Sequence, residues 1–317
     1  MATADQIKNL VRAYTDRDDE KFKTVVLQIA AHEARIGHDN TARELKKTVD
    51  SLSANSGRIL RIHSGNTMLQ MSVPSVFMKD LIVSRDLEQR LQRVLCEYHN
   101  RRKLQSFGLT NRRKLLMEGA PGTGKTFTAS IIASELGLPL YTVQMDKLVT
   151  KYMGETSAKL HQVFEYISSE EGVYFFDEFD AIGSDRNLDN EVGEMRRILN
   201  SFLQFIEMDD SESIIVAATN NQKLLDKALF RRFDDVLHYD LPLEDEVIRL
   251  FKYKLEAYDE EFVVSSDIVD CANGLSHAEI IRICDDAIKT SILYDKKIST
   301  SDLLRLIDER HMIYKEA

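Results

Sequence analysis

The sequence predicts an α/β chain: a parallel sheet sandwiched by helices, followed by an α-helical lid and preceded by a small N-terminal helical bundle. Three observations point there. From about residue 79, short apolar runs alternate with helical stretches, the pattern of a parallel sheet covered on both faces. After Pro242 the strand-like runs stop and only helical periodicity remains. Before residue 53 the chain also reads as helix throughout.

The N-terminal bundle is expected over residues 1–54. Ile7, Leu10, Val11 and Tyr14 recur at i, i+3, i+4 and i+7. Phe22, Val25, Val26, Ile29 and Ile36 form a second stripe, closed by Gly37 as a C-cap. Thr41-Ala-Arg-Glu44 reads as a capping box, with Ala42, Leu45, Val49 and Leu52 turned inward behind it. Residues 55–78 break the helical period with Ser, Asn, Gly and Pro74 and are expected as a linker. Ile59, Ile62, Met68, Leu69 and Met71 suggest that part of it packs as a short hairpin. Residues 79–242 hold five strand candidates, KLLMEG, LPLYTVQ, GVYFFDE, SIIVAATN and DVLHYDLP. Residues 243–317 hold three helical patterns, EDEVIRLFKYKLEAY, SHAEIIRICDDAIKTSILY and SDLLRLIDERHMIY.

Bulk properties limit the function classes. The chain has 317 residues, 43% hydrophobic and 30% charged, with a net charge of -10. That balance disfavours a large nucleic-acid surface. The basic runs Arg101-Arg102-Lys103 and Arg112-Arg113-Lys114 are expected as solvated helix ends or loops. Three cysteines without CxxC or metal spacing suit a reducing cytosol. Met1-Ala-Thr-Ala-Asp-Gln offers no apolar signal region, and no run approaches the length of a membrane span. The expectation is a cytoplasmic protein that engages no membrane.

The chemistry starts at Gly119-Ala-Pro-Gly-Thr-Gly124-Lys125-Thr126, the pattern G-x-x-x-x-G-K-[ST] between a strand and a helix. Its glycines let backbone N–H groups approach phosphate oxygens closely. Pro121, Gly122, Thr123, Gly124, Lys125, Thr126 and Phe127 are the expected nucleotide-binding residues. Lys125 supplies charge to the β- and γ-phosphates, Thr126 offers a hydroxyl to Mg²⁺, and the following helix aims its positive end at the anion. The predicted sheet is therefore that of a P-loop NTPase, with ATP and Mg²⁺ as cofactors. A second strand ends in acids, Val173-Tyr-Phe-Phe-Asp177-Glu178. Asp177 there can hold the Mg²⁺ water shell opposite Thr126, and Glu178 can polarise the attacking water.

These segments resemble the AAA ATPases over about residues 79–317. GAPGTGKT is similar to the family's Walker A, and VYFFDEFDAIG to its Walker B. IIVAATN is similar to the strand ending in the sensor-1 Asn, here Asn220, which would orient the lytic water with Glu178. KALFRRFDDVLHYDLP is similar to the segment carrying arginine fingers, at Arg231 and Arg232. GLSHAEIIRICDDA is similar to the sensor-2 helix start, with Ala278 beside the nucleotide. The resemblance implies a hexameric ring in which a neighbouring copy's arginines complete each site. It also implies that KYMGETSAKLHQVFEYI is the first pore loop of protein unfoldases and disassembly machines such as katanin and spastin. Tyr152 and Met153 would then grip a protein client, the aromatic ring and thioether holding many side chains without sequence preference. Asp185, Arg186, Asn187 and Asp189 would lie near the channel, and Arg196 and Arg197 on the next helix would contact a neighbour.

Two positions depart from the family pattern. His277 replaces the usual Gly of G-x-S-G-A, which alters the adenine and ribose contacts around Ala278. Asp235 stands where many members have a basic residue, which is expected to weaken the electrostatics between subunits. The stretch LQIAAHEARIGHDNTARELKKTVD resembles the leader of small bacterial AAA proteins encoded beside a subtilisin-like serine protease in plasmid-exclusion or phage-defence loci. A microtubule-trafficking-type helical hairpin is the alternative for that segment. For the whole chain, the alternative to a ring-forming protein remodeller is a nucleotide switch that gates a partner through its N-terminal helices without threading. A clamp-loader-like DNA protein is disfavoured by the net charge and the aromatic pore trio.

Overall fold

In the computed structural model, the described residues are 25–26, 29–30, 68–148, 155–179, 191–220, 230–256, 258–259 and 262–315, the side chains of 191–197 and 314–315 aside. The chain divides into two compact units, residues 1–58 and 59–317. In the first, Val25, Val26, Ile29 and Ala30 are helical and buried, as the spacing of the second stripe requires. The other residues of the expected bundle lie outside the described set.

The second unit is built on a six-stranded sheet. Its strands are β1 (Leu69–Ser72), β2 (Lys114–Gly119), β3 (Leu140–Val143), β4 (Val173–Phe176), β5 (Ile214–Thr219) and β6 (Asp235–Tyr239), in the order β1-β3-β4-β5-β2-β6. All five strands expected from the apolar runs are present, and their neighbours pair in parallel. The sixth, β1, runs antiparallel to β3, with Leu69 opposite Val143. It comes from the stretch expected as linker and pairs with a strand distant in sequence; residues 55–67, where the other arm of the expected hairpin would lie, are outside the described residues.

Each face of the sheet carries its own core. On one, Leu116, Tyr174, Phe176, Ile215 and Ala217 pack against Leu160, Val163 and Phe164 of α5 (Glu155–Ser169) and Phe202 and Ile206 of α6 (Glu191–Met208). On the other, Leu115, Met117, Phe175, Val216 and Ala218 meet α1 (Arg85–His99) and α3 (Lys125–Leu136). Along β2, Leu115, Leu116 and Met117 alternate between these cores, and β4 and β5 are buried on both sides, the signature of central parallel strands. Two short helices, α2 (Arg101–Ser106) and α4 (Met145–Leu148), complete this part.

Beyond Pro242 comes a helical subdomain with a separate core around Phe251, Leu255, Ile268, Ile280, Ile283, Leu303 and Ile307. It contains the three expected helices, α7 (Glu244–Leu255), α9 (His277–Tyr294) and α10 (Thr300–Lys315), plus a short α8 (Ser266–Cys271). Ser276 caps α9, its hydroxyl accepting from the Glu279 N–H while Glu279 Oε2 accepts from the Ser276 N–H at 2.7 Å.

Of the two basic runs expected to be solvated, Arg102 and Lys103 are exposed, while Arg101, Arg112 and Arg113 are ion-paired within the chain. Arg101 pairs with Glu171 and Glu212, Arg112 with Glu97, and Arg113 with Asp209, while Lys114 Nζ donates to the Asp209 carbonyl at 3.0 Å. Asp235 binds Arg90 and lies 3.8 Å from Arg112. Its charge is matched within the chain, where α1 packs on β6.

Candidate nucleotide site

Three consecutive parallel strands bring the expected site residues together. β4, β5 and β2 are neighbours, so their C-terminal ends open on one edge of the sheet, the edge where open α/β sheets bind ligands. The phosphate loop follows β2, Asp177 and Glu178 follow β4, and Asn220 follows β5. The cleft at that edge has a volume of about 540 Å³, and it is lined by the whole run Pro121–Phe127, by Asp177, Glu178 and Asn220, and by Ala278 of α9.

The phosphate loop needs glycine at two positions for reasons visible in its surroundings. Gly119 has φ +152°, and a Cβ there would lie 2.0 Å from the Tyr239 carbonyl of β6. Gly122 has φ +76°, and a Cβ would lie 2.7 Å from Ser276 Oγ. The loop thus threads between a neighbouring strand and the cap of α9, with no room for a side chain. Gly124 begins α3, and Lys125 and Thr126 occupy its first turn. Lys125 is 6% exposed, its Nζ donating to the Gly119 and Ala120 carbonyls at 2.8 Å. Its charge is therefore seated at the centre of the loop, where phosphate oxygens would replace those carbonyls as partners.

Thr126 Oγ1 donates to Asp177 Oδ2 at 3.0 Å. These are hard oxygen donors of the kind Mg²⁺ takes, and a pair suffices for an ion that keeps water and phosphate oxygens in its shell. Among the described residues no group of three or more His, Cys, Asp or Glu forms an all-protein metal cage. The residues present fit a phosphate-bound Mg²⁺. Next to Asp177, Glu178 is exposed with φ +49°, and its N–H donates to Asp177 Oδ1 at 2.9 Å. A left-handed glutamate costs on the order of 1–2 kcal/mol. That strain turns the carboxylate out of the strand and into the cleft.

The helical subdomain closes the other side. The Ala278 N–H donates to the Gly122 carbonyl at 2.9 Å, so α9 begins directly on the phosphate loop. Arg249 of α7 donates to the Val83 carbonyl at 2.9 Å, and Tyr253 donates to Asp80 at 2.9 Å. These contacts set the segment 80–83 against the lid, and Asp80, Leu81 and Ile82 line the cleft with Leu250, His277, Ile281 and Arg282. Sequence motifs mark little of this wall. Arg282 lies one turn beyond Ala278 on α9, and that i, i+4 spacing was the available signal. Asp80–Ile82 carry no motif.

Arg231 and Arg232 do not line this cleft. Arg231 is exposed, and Arg232 Nε pairs with Glu207 Oε1 at 2.8 Å. The positions Tyr152, Met153, Asp185, Arg186, Asn187 and Asp189, and the side chains of Arg196 and Arg197, lie outside the described residues. No helix among the described residues is long and apolar enough to cross a membrane.

Comparison with known proteins points to one family. The family model described as "ATPase family associated with various cellular activities (AAA)" matches residues 115–241. An uncharacterised AAA family ATPase of Sinorhizobium fredii is 33% identical over 305 residues, covering 94% of this chain and 92% of the relative. A proteasome-activating nucleotidase of Methanopyrus kandleri is 33% identical over 214 residues, 63% of this chain and 48% of the relative. An ATP-dependent zinc metalloprotease FtsH of Parabacteroides distasonis is 29% identical over 250 residues, 74% of this chain and 36% of the relative.

Proposed function

Because the chain belongs to the AAA ATPases and hydrolyses ATP, we propose that it couples hydrolysis to remodelling a protein client within a ring of copies. One observation carries this reading. The phosphate loop, Asp177, Glu178 and Asn220 share one cleft, while Arg231 and Arg232 lie away from it. A phosphoryl-transfer site gains mainly from charge stabilisation, and an arginine delivered by another subunit is worth about 10³–10⁵ in rate. Turnover then depends on assembly, and the assembly is a hexamer on this reading.

The chemistry assigned to these residues is hydrolysis of the β–γ bond. Lys125 and the loop N–H groups hold the phosphates. Thr126 and Asp177 would hold Mg²⁺, which would supply positive charge to the phosphate group when bound. Glu178 accepts a hydrogen bond from the attacking water and polarises it, with Asn220 fixing the water's position. As water oxygen bonds to the γ-phosphorus, the bond to the bridging oxygen breaks and ADP departs. Arg231, and Arg232 once released from Glu207, would neutralise the equatorial oxygens of a neighbour's γ-phosphoryl group.

Residues 243–317 act as the lid over the ATPase body of 79–242, and 1–54 dock a partner through the 55–78 connection. Tyr152 and Met153 grip the client in the channel. The names of the archaeal and bacterial relatives tie nucleotide use to proteolysis in those proteins. That supports a partner protease here; the resemblance of the N-terminal stretch leads us to propose one of the subtilisin-like type, in a defence role, with the chain acting in the cytoplasm. Tyr152→Ala tests the threading step. The variant should keep ATPase activity and lose remodelling of the partner captured by Glu178→Gln; unchanged remodelling would leave a nucleotide switch as the better account.

A further inference from the structure

The cleft wall facing the phosphate loop is largely apolar; Asp80 and Arg282 also line it, but its buried polar side chain is His277. Leu81, Ile82, Leu250 and Ile281 line it together with His277. His277 is the first residue of α9 and is 7% exposed. Neither of its ring nitrogens meets a partner at hydrogen-bond geometry, although the Ile82 backbone stands beside the ring. Burial keeps the imidazole neutral, pushing its pKa down to about 4, with the nearby Arg249 guanidinium acting in the same direction. A neutral imidazole carries one donor and one acceptor.

A buried imidazole with no partner at hydrogen-bond geometry, beyond the Ile82 backbone beside it, destabilises the protein without ligand, and such groups in folded proteins call for a reason. Leucine would fill the same space without that cost. The position of the ring supplies the reason. Its neighbour Ala278 is hydrogen-bonded to Gly122 of the phosphate loop, so imidazole and phosphate cradle are held in fixed register along one cleft. A ligand whose phosphates occupy the cradle extends along this wall, and its flat, heteroatom-edged part is the base.

We propose that His277 is a specificity-determining residue that hydrogen-bonds a heteroatom on the edge of the nucleobase. The proposal rests on the cleft being the nucleotide site. It predicts that the base half of the ligand is recognised by the lid and the phosphate half by the loop, through separable contacts.

The test compares ADP with inorganic tripolyphosphate, which has no base, on the full chain. Titration calorimetry of His277→Leu should show ADP binding weakened about ten- to hundredfold, with tripolyphosphate affinity unchanged. The melting temperature of the nucleotide-free variant should equal or exceed that of the parent. In the parent protein, nitrogen-15 NMR of the His277 imidazole should show one ring nitrogen shifting with ADP and neither shifting with tripolyphosphate. Equal weakening of both ligands, or unchanged ADP affinity, would overturn the assignment, as would an imidazole signal indifferent to ADP. If the parent binds neither ligand, the nucleotide-site reading itself fails, a result distinct from either of these. The NMR arm decides the matter even if the leucine variant does not fold.

Discussion

The Ala278 N–H donates to the Gly122 carbonyl at 2.9 Å, joining the first turn of the lid helix to the middle of the phosphate loop. Lid position and loop shape are thereby one variable. Gly122→Ala should disturb both, because the new Cβ would clash with Ser276 Oγ at 2.7 Å and the residue holds φ +76°. The expected cost is about 1–3 kcal/mol of stability, together with weaker ADP binding. Thermal melts with and without ADP check it. The same substitution at Gly124 meets no neighbouring atom within 4 Å and has only its own φ of +103° to relieve, so its stability loss should be smaller.

Lys125 and Glu178 should separate binding from chemistry. Lys125→Ala removes the charge seated in the loop and should abolish ATP binding in a fluorescence titration. Glu178→Gln should still bind ATP, hydrolyse little and hold an assembled complex with its client. Glu178→Gly adds a further expectation. It releases the strain of the left-handed residue, so the fold should gain up to about 1 kcal/mol while turnover falls. A glycine variant with full turnover would remove Glu178 from the reaction.

Asp235 is expected to matter for stability and not for assembly. It is held by Arg90 and Arg112, with its side chain 13% exposed. Asp235→Ala leaves Arg90 without its carboxylate while Arg112 keeps Glu97, and should cost about 1–2 kcal/mol. Denaturant unfolding would show this, and the ring size at saturating protein should be unchanged.

The fold's pH dependence should carry a His277 signature. The imidazole has a folded pKa of about 4 against an ordinary value of 6.5. Between those values the unfolded chain binds the proton and the folded chain does not. Stability is therefore fully present above pH 6.5 and falls as pH drops toward 4, by up to about 1.4 kcal/mol per pH unit. Subtracting the profile of His277→Leu isolates this contribution from Glu246, a buried carboxyl whose pKa is raised and whose slope has the opposite sign. A flat difference curve would mean that His277 is not buried neutral.

Much of this site was legible because its signals are local. Gly119–Thr126 announces itself by glycine spacing between a strand and a helix, and Asp177 and Asn220 end apolar runs whose strands are adjacent in the sheet. What escaped depends on contacts made far along the chain. β1 is four residues long in a Ser/Gly/Asn-interrupted stretch, and its partner β3 is remote in sequence. α8 has six residues, too few to show a helical period. Asp80–Ile82 become a wall only once Arg249 and Tyr253 draw them onto the lid. His277 and Asp235 stood out in sequence as departures, but a neutral buried ring and an internal ion pair are properties of packing that residue identity alone does not reveal.

The central claim is that one copy's arginine completes another copy's cleft, and mixing two inactive variants tests it most directly. Lys125→Ala keeps Arg231 but binds no nucleotide; Arg231→Ala binds nucleotide but lacks the exposed guanidinium. Each alone should turn over ATP about 10³-fold slower than the parent or worse. Mixed at concentrations that permit assembly, they should recover a substantial fraction of parental turnover, and dilution should abolish the recovery. A mixture no faster than the sum of its parts, beside an Arg231→Ala protein of full activity at any dilution, would contradict the account.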